Sequence, residues 1–187
     1  MSLKPKKTSG EIRPVGARAL KSAIDSLRSH LDGATVLDLY AGQGRFGFAA
    51  LEAGAAKVVM VEKSARNASE LLRLRPKKIP VERELVVVNQ TVESFLAHAK
   101  NDLYDIVFAD PPFPLWEEKG FEMRFMTDLR SVMKQDSIFL VKYPSRMVIF
   151  RPHLGFRPWK ESRFGESLLA YFIYEKDSKD EDGKIRD

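Results

Sequence analysis

The residues with the clearest chemical potential lie near the middle of the chain, in the segment Asp110-Pro111-Pro112-Phe113. The apolar run 104–109 precedes it and predicts a strand, so the segment stands at the carboxyl end of that strand. Because proline lacks a backbone N–H, the segment offers an incoming amino group only acceptors, namely the Asp110 carboxylate and backbone carbonyls. Phe113 adds a flat face for base stacking, which is worth roughly 1–3 kcal/mol per base. The pattern indicates a site for an exocyclic amino group, although a plain proline turn after a strand has the same pattern.

A second candidate site lies upstream, where the apolar stretch 35–40 runs into a glycine loop and then into a helix rich in alanine and leucine. Gly42 and Gly44 allow a tight turn and a close approach to a ligand. The helix beginning near Arg45 directs free N–H groups and the positive end of its dipole at that ligand. The next predicted strand ends in Glu62, twenty positions after Gly42. An acid at this position can accept hydrogen bonds from both hydroxyls of a ribose.

The cofactor is not decided by the glycine loop, because a glycine loop with an acid about 20 residues later is also the dinucleotide fingerprint. Asp38 favours S-adenosylmethionine over NAD, since a carboxylate at the strand end repels a pyrophosphate and attracts the ammonium of a methionine. Asp38 can also cap the loop by accepting from its backbone N–H groups, and the two roles can coexist.

Composition sets wider limits on the class of protein. With 187 residues and 44% hydrophobic content, the chain is long enough for one domain with a sizeable core. The absence of cysteine excludes disulfides and thiolate chemistry, and the three histidines lack metal-ligand spacing, so no metal is expected. The lysine-rich start has no signal-peptide core, and no segment reaches the roughly 20 apolar residues of a membrane span. These features predict a cytoplasmic protein.

Positive charge is unevenly distributed along the chain, whose formal net charge is +5. Residues 1–30 contain seven lysines and arginines, among them Arg13, Arg18 and Lys21, against two acids. Further basic residues occur at 73–78 and 142–163, and those of the second stretch alternate with aromatics. Basic residues interleaved with aromatics suit nucleic acid, although any one cluster is also compatible with an ordinary solvated face.

Apolar periodicity predicts alternating helices and strands and therefore a parallel sheet covered on both faces. A final hairpin turning near Gly165 predicts an antiparallel addition at one edge. Both candidate sites then face one crevice at the carboxyl ends of the strands. The chain is expected to consist of three parts: a basic segment and helix at 1–34, the main domain at 35–174 and a disordered tail at 175–187. The predicted helices are 15–30, 64–75, 92–99 and 121–133, and the predicted strands are 35–40, 57–62, 85–89, 104–109, 137–142, 156–164 and 167–174.

From about residue 35 to residue 174 the chain resembles the class I methyltransferases. This resemblance implies a Rossmann-like α/β fold with a seven-stranded, mostly parallel sheet, helices on both faces and a C-terminal antiparallel hairpin. Within that superfamily the chain resembles the RsmD-type family of small-subunit ribosomal RNA guanine-N2 methyltransferases. In that family the motif that receives the target base reads Asp-Pro-Pro-Phe, as residues 110–113 do here. The similarity extends to the segments 12–14, 38–47, 88–96 and 170–174.

The resemblance also implies roles for individual residues. The carboxylate of Asp38 and the backbone of residues 40–44 would hold the methionine part of S-adenosylmethionine, and Glu62 would hold the ribose. Many relatives have Asp or Asn where Thr91 stands, so the contact with the adenine amino group is weaker here or made by backbone. The implied cofactor residues are Asp38, Tyr40, Ala41, Gly42, Gly44, Glu62, Lys63, Gln90, Thr91 and Val92, and the implied acceptor residues are Asp110, Pro111, Pro112 and Phe113.

The implied activity is N-methyl transfer to a guanine in ribosomal RNA or in a small ribosomal subunit particle. The sequence does not specify the oligomeric state, and a monomer is the favoured expectation. Arg13, Arg18 and Lys21 would take part in binding the RNA. The segment 13–18 departs from the usual family pattern, which leaves the RNA target open. The alternatives are an adenine-N6 methyltransferase acting on DNA or RNA, a protein-glutamine methyltransferase, or a non-catalytic RNA-binding module with this fold.

Overall fold

The chain forms one seven-stranded sheet within residues 16–74, 76, 79–99, 103–148 and 154–176, which are the residues that the computed structural model describes. The strands are β1 (Thr35–Leu39), β2 (Lys57–Val61), β3 (Glu84–Val88), β4 (Tyr104–Ala109), β5 (Met133–Pro144), β6 (Phe156–Phe164) and β7 (Ser167–Tyr174). The helices are α1 (Ala17–Leu31), α2 (Arg45–Ala53), α3 (Ala65–Arg73), α4 (Val92–His98), α5 (Phe113–Glu117) and α6 (Phe121–Leu129), and a 3-10 turn follows at Arg130–Val132.

The strand order is β3-β2-β1-β4-β5-β7-β6. The first five strands in this order pair in parallel, and β7 pairs antiparallel with both β5 and β6. The predicted parallel sheet with an antiparallel C-terminal hairpin is therefore confirmed. Because β2 and β4 lie on opposite sides of β1, the chain switches direction there, and open α/β sheets bind ligands at such a switch point.

Alternate residues of the central strands pack into two separate cores, one on each face of the sheet. Leu37 and Leu39 of β1 belong to the core that α4, α5 and α6 cover. Val36 of the same strand belongs to the core that α1, α2 and α3 cover. The two-residue period of a strand thus places Asp38 on the face covered by α1, α2 and α3.

Helix α1 packs against the same core as the sheet, through residues that repeat every three to four positions. Ala19, Ala23, Leu27 and Leu31 are buried and face α2 and the strands. The apolar stripe that predicted this helix is therefore what attaches it to the domain.

Three elements differ from the prediction. Helix α6 ends at Leu129, and β5 begins at Met133, earlier than the predicted strand. The start of β5 is irregular: its register with β4 shifts, and Asp136 has a φ of 61°, so apolar alternation does not reveal this part of the strand. The short helix α5 was not predicted, because prolines suggested a turn; a proline is tolerated in the first helical turn.

None of the helices in the described ranges is long and apolar enough to cross a membrane. Within the same ranges, no group of three or more His, Cys, Asp or Glu side chains is arranged to hold a metal ion. Arg13 and the segment 177–187 of the predicted tail lie outside the described residues.

Candidate active site

Three carboxylates meet at the carboxyl edge of the sheet, one from each of three neighbouring strands. Leu39 is in register with both Val61 and Ala109, so Glu62 after β2 and Asp110 after β4 follow on either side of β1. Asp38 is 1% exposed and Glu62 is 5% exposed. The Asp110 side chain is 14% exposed. A cationic ligand among these carboxyl groups would favour their ionised forms.

Glu62 fixes the glycine loop to the end of β2. Its Oε2 accepts from the Gly42 N–H at 2.8 Å, and its Oε1 accepts from the Ser64 N–H at 2.8 Å. Each carboxylate oxygen has two lone pairs, so each keeps one for a ligand. The remaining lone pairs leave the predicted ribose contact chemically compatible with this second, structural role.

Asp38 caps the start of α2, since its Oδ2 accepts from the Gly47 N–H at 2.9 Å. This is the capping role that the sequence left open beside the ligand role. Burial raises the pKa of Asp38 well above its ordinary value; the nearby charges of Asp110 and Glu62 add to the rise, and the Gly47 N–H opposes it. An approaching ammonium would favour the ionised form of this carboxyl.

Asp38→Asn separates these two roles, because its amide oxygen still accepts from Gly47 while the charge is lost. We expect the affinity for S-adenosylmethionine to fall roughly 10- to 100-fold, the worth of one charge-assisted hydrogen bond, with Tm unchanged or higher. Wild-type affinity should rise with pH through the raised pKa of Asp38, and the Asn variant should lose that dependence. Titration calorimetry across pH measures both; equal affinity of the two proteins would leave Asp38 with the cap alone.

Gly47 lets α2 lie directly on the strands beneath the site. A Cβ at this position would lie 2.4 Å from the Met60 Cε and 3.0 Å from the Val58 Cγ1. Gly44, which precedes the helix, has a φ of +67°, a conformation that L side chains rarely adopt. Two of the loop glycines are therefore required by close packing and by backbone conformation, independently of any ligand.

Tyr40 begins the loop in an unusual conformation for a residue with a side chain, with a φ of 59°. Its hydroxyl donates to the Glu93 Oε1 at 3.5 Å, and its ring lies 6.1 Å from that of Phe125. Burial and the Glu93 charge raise the pKa of Tyr40. Backbone strain of this kind costs about 1–3 kcal/mol and is concentrated at functional sites.

The loops after β2 and β3 are joined by Asn89, a residue whose role the sequence reading missed. Its Nδ2 donates to the backbone oxygens of Glu62 at 2.9 Å and Lys63 at 3.0 Å. An amide directly after a strand was the available signal, since a side chain there can bond a neighbouring loop. Asn89 thus positions the backbone beside the predicted adenine site.

The residues predicted to flank an adenine do not share one environment. Lys63, Gln90 and Thr91 are exposed, whereas Val92 is 4% exposed and belongs to the core. Thr91 is the N-cap of α4, and its Oγ1 accepts from the Ser94 N–H at 3.2 Å. The side chain of Thr91 therefore has a structural role that explains a threonine at this position.

Asp110 forms a nearly buried ion pair with Lys142 of β5. The Lys142 Nζ donates to Oδ1 at 2.7 Å and to Oδ2 at 2.8 Å, and the lysine side chain is 9% exposed. The same ammonium lies 5.8 Å from the centre of the Phe113 ring. Desolvation raises the pKa of Asp110, and Lys142 opposes that rise. The carboxylate is thus held in a fixed orientation beside the aromatic ring.

This position corrects the sequence interpretation of Lys142, which grouped it with basic residues on a nucleic-acid face. A lysine inside the otherwise apolar run 138–143 was a usable signal, because a buried ammonium requires an anion. The position of that anion, 32 residues earlier in the chain, depended on the pairing of β4 with β5.

Other members of the same basic and aromatic stretch also make structural contacts, so the composition of the stretch does not by itself identify a nucleic-acid face. Phe156 is 1% exposed in the core. Lys160 donates to the Ser26 Oγ at 2.7 Å and lies over the Tyr171 ring, and Arg157 pairs with Glu175. Arg163 lies at the carboxyl edge, close to the candidate site.

The family described as Conserved hypothetical protein 95 matches residues 2–173, which include the glycine loop, the three carboxylates and the acceptor segment. The chain belongs to this family. A curated relative, "Ribosomal RNA small subunit methyltransferase D" of Haemophilus influenzae, is 35% identical over 104 residues. That match covers 54% of this chain and 53% of the relative, so the chain spans about half the length of the curated relative. The predicted resemblance to the RsmD-type family is confirmed.

Solved structures agree with the fold assignment. The Escherichia coli protein yhhF has a TM-score of 0.74 at 23% identity, over 87% of each chain. The magnesium protoporphyrin IX methyltransferase of Synechocystis PCC 6803, solved with bound SAM, has a TM-score of 0.64 at 17% identity, over 90% of this chain and 87% of that one. The predicted Rossmann-like class I methyltransferase fold is confirmed.

Proposed function

We propose that this protein is an S-adenosylmethionine-dependent methyltransferase whose acceptor is the exocyclic N2 of a guanine in small-subunit ribosomal RNA. The observation that carries the proposal is the Asp110 carboxylate, held by Lys142 at the switch point of the sheet and followed by two prolines and Phe113. Family membership and the name of the Haemophilus influenzae relative support the choice of acceptor.

The residues at the edge of the sheet fit this cofactor by charge. S-adenosylmethionine carries an ammonium and supplies, when bound, a methyl group on a positively charged sulfur. Asp38 would hold the ammonium, the backbone of residues 40–44 would hold the methionine part, and Glu62 would hold the ribose. Asp38 and Glu62 are buried acids, which suit such a cation better than a pyrophosphate, and a bound ammonium would oppose the rise that burial causes in the pKa of Asp38.

Asp110 acts on the acceptor nitrogen, whose lone pair is delocalised into the ring of the base. Hydrogen bonds from the amino group to Asp110 and to the carbonyl of Pro111 or Pro112 favour a pyramidal nitrogen with an available lone pair. Lys142 occupies one lone pair on each oxygen of Asp110, which leaves one on each for the substrate. These bonds strengthen as positive charge develops on the nitrogen, so they stabilise the transition state more than the ground state.

The proton balance requires no strong base. As the N–C bond forms and the S–C bond breaks, the nitrogen becomes cationic and acidic, and its proton passes to Asp110 or to water. A paired base cannot reach a pocket at the edge of a sheet, so the target guanine is unpaired or flipped out and stacks on Phe113.

The cofactor assignment is tested by thermal denaturation with two ligands. We expect S-adenosylhomocysteine to raise Tm by mass action, and NADH at the same concentration to leave it unchanged. A rise with NADH and none with S-adenosylhomocysteine would contradict the assignment and favour the dinucleotide reading of the glycine loop.

The substrate assignment is tested by transfer of a labelled methyl group to small ribosomal subunits from cells that lack this gene. We expect incorporation into the RNA and none into subunits from the parent strain, because the target is already methylated there. Labelled ribosomal protein in place of RNA would contradict the assignment.

A further inference from the structure

A groove of about 560 Å³ lies between the start of α1 and the turn that joins β6 to β7. Its size is within the range of sites for small organic ligands, roughly 300–1,000 Å³. Phe113 and Lys142, which belong to the acceptor side of the candidate active site, also line the groove. The groove is therefore continuous with the place where the target base is proposed to bind.

The strand order places this groove opposite the proposed cofactor side. Asp38 lies on β1 and Glu62 follows β2, whereas the groove lies over the ends of β5, β7 and β6. Leu169 of β7 is in register with Lys142 of β5. The Ser145 N–H donates to the backbone oxygen of Glu166 at 2.8 Å, and this bond attaches the turn to the end of β5. Asp110 on β4 stands between the two sides, so a substrate can enter from the groove without crossing the cofactor site.

Two arginines and one acid, Glu166, line the groove, so cations outnumber anions there even without the paired Lys142. Arg18 of α1 and Arg163 of β6 line it from opposite walls. The Arg163 Nη2 donates to the Ser145 Oγ at 3.3 Å, and its Nε donates to the Gly165 oxygen at 3.3 Å. These contacts orient the guanidinium and use two of its five donors. The charge of Lys142 is balanced by Asp110, so the arginines are the groups suited to a phosphate.

We propose that the groove binds the nucleotide next to the target base, with its phosphate between Arg163 and Arg18, while Phe113 at the inner end of the groove stacks on the target base itself. This inference rests on the proposed function, since it assumes that the acceptor is a base in a single-stranded segment. The occupant is a nucleic-acid strand because the walls combine an aromatic face with planar cations that bond phosphate oxygens in pairs.

Arg157 offers a matched control for Arg163. Both are exposed arginines on β6, but they stand six residues apart, about 20 Å along the strand, and Arg157 pairs with Glu175 at the far end. We expect Arg163→Gln to raise the Kd for a short labelled single-stranded RNA about tenfold in fluorescence anisotropy and to lower the salt slope of log Kd by about 0.7. Arg157→Gln should change neither, and both variants should bind S-adenosylhomocysteine like the wild type.

The binding readout separates the groove from the reaction. Equal Kd and salt slope for Arg163→Gln and Arg157→Gln would overturn the groove assignment, even if wild-type protein methylates RNA. Weaker binding by Arg163→Gln alone would support the groove, and absence of methyl transfer by the wild type would then overturn only the proposed reaction. Arg18→Gln should reproduce the effect of Arg163→Gln, because Arg18 and Arg163 are both proposed to bind the same phosphate.

Discussion

Asp110→Ala is expected to lower kcat by about 1,000-fold or more while leaving the affinity for S-adenosylhomocysteine within about tenfold of wild type. The reason is that Asp110 is proposed to contact the acceptor amino group, whereas Asp38 on β1 and Glu62 after β2 are proposed to hold the cofactor. Single-turnover methyl transfer and titration calorimetry measure the two quantities separately. Loss of cofactor binding together with turnover would contradict the assigned role of Asp110.

Asp105 supplies a control on the same strand. It also pairs with a lysine, Lys134, at 2.7 Å, and it accepts from the Thr35 N–H at 2.8 Å, but it stands at the amino end of β4. Asp105→Ala therefore removes a carboxylate–lysine pair that is more exposed and lies away from the site, and kcat should stay within a few-fold of wild type. Asp110→Asn keeps the shape and one neutral acceptor, so its kcat should lie between those of wild type and Asp110→Ala.

Lys142→Met is expected to move the acid limb of the kcat profile to higher pH and to cost the most activity below neutrality. Burial already raises the pKa of Asp110, and Lys142 is the group that opposes this rise. Without the ammonium the pKa of Asp110 rises further, so a larger fraction of the enzyme is protonated at a given pH and cannot accept from the amino group. Turnover at saturating substrate, measured from pH 5 to 9, gives the shift.

Lys142→Met should also make stability depend more strongly on pH. In the variant, the folded pKa of Asp110 lies still further above its unfolded value. The contribution of this carboxyl to stability is therefore fully present below its unfolded pKa and is lost as pH rises through its folded pKa. Removing one partner of a nearly buried ion pair lowers the free energy of unfolding by on the order of 3 kcal/mol when the remaining carboxyl is ionised. Lys134→Met, whose side chain is 39% exposed, should show neither effect; an unshifted acid limb in Lys142→Met would contradict the positioning role.

Local patterns were sufficient to predict the features that lie close together in the sequence. The apolar strands, the glycine loop and the segment 110–113 are each written in consecutive residues, so periodicity and residue type identified them. The carboxyl-edge position of both sites followed from the alternation of strands and helices, because parallel strands all end at one edge.

Long-range partners could not be predicted in the same way. The pairing of Asp110 with Lys142 and the contact of Asn89 with Glu62 join residues 32 and 27 positions apart. They depend on register and on side-chain direction, which a single sequence does not specify. The same holds for Lys160, whose charge suggested nucleic acid but whose ammonium contacts Ser26 of α1.

The central claim is that the site at Asp110 methylates the exocyclic amino group of a guanine. It is tested most directly by digesting small-subunit RNA after reaction with wild-type protein and with Asp110→Ala, and by identifying the methylated nucleosides by mass spectrometry. We predict N2-methylguanosine at one position with the wild type and none with the variant. N6-methyladenosine, or N2-methylguanosine formed equally by Asp110→Ala, would contradict the claim.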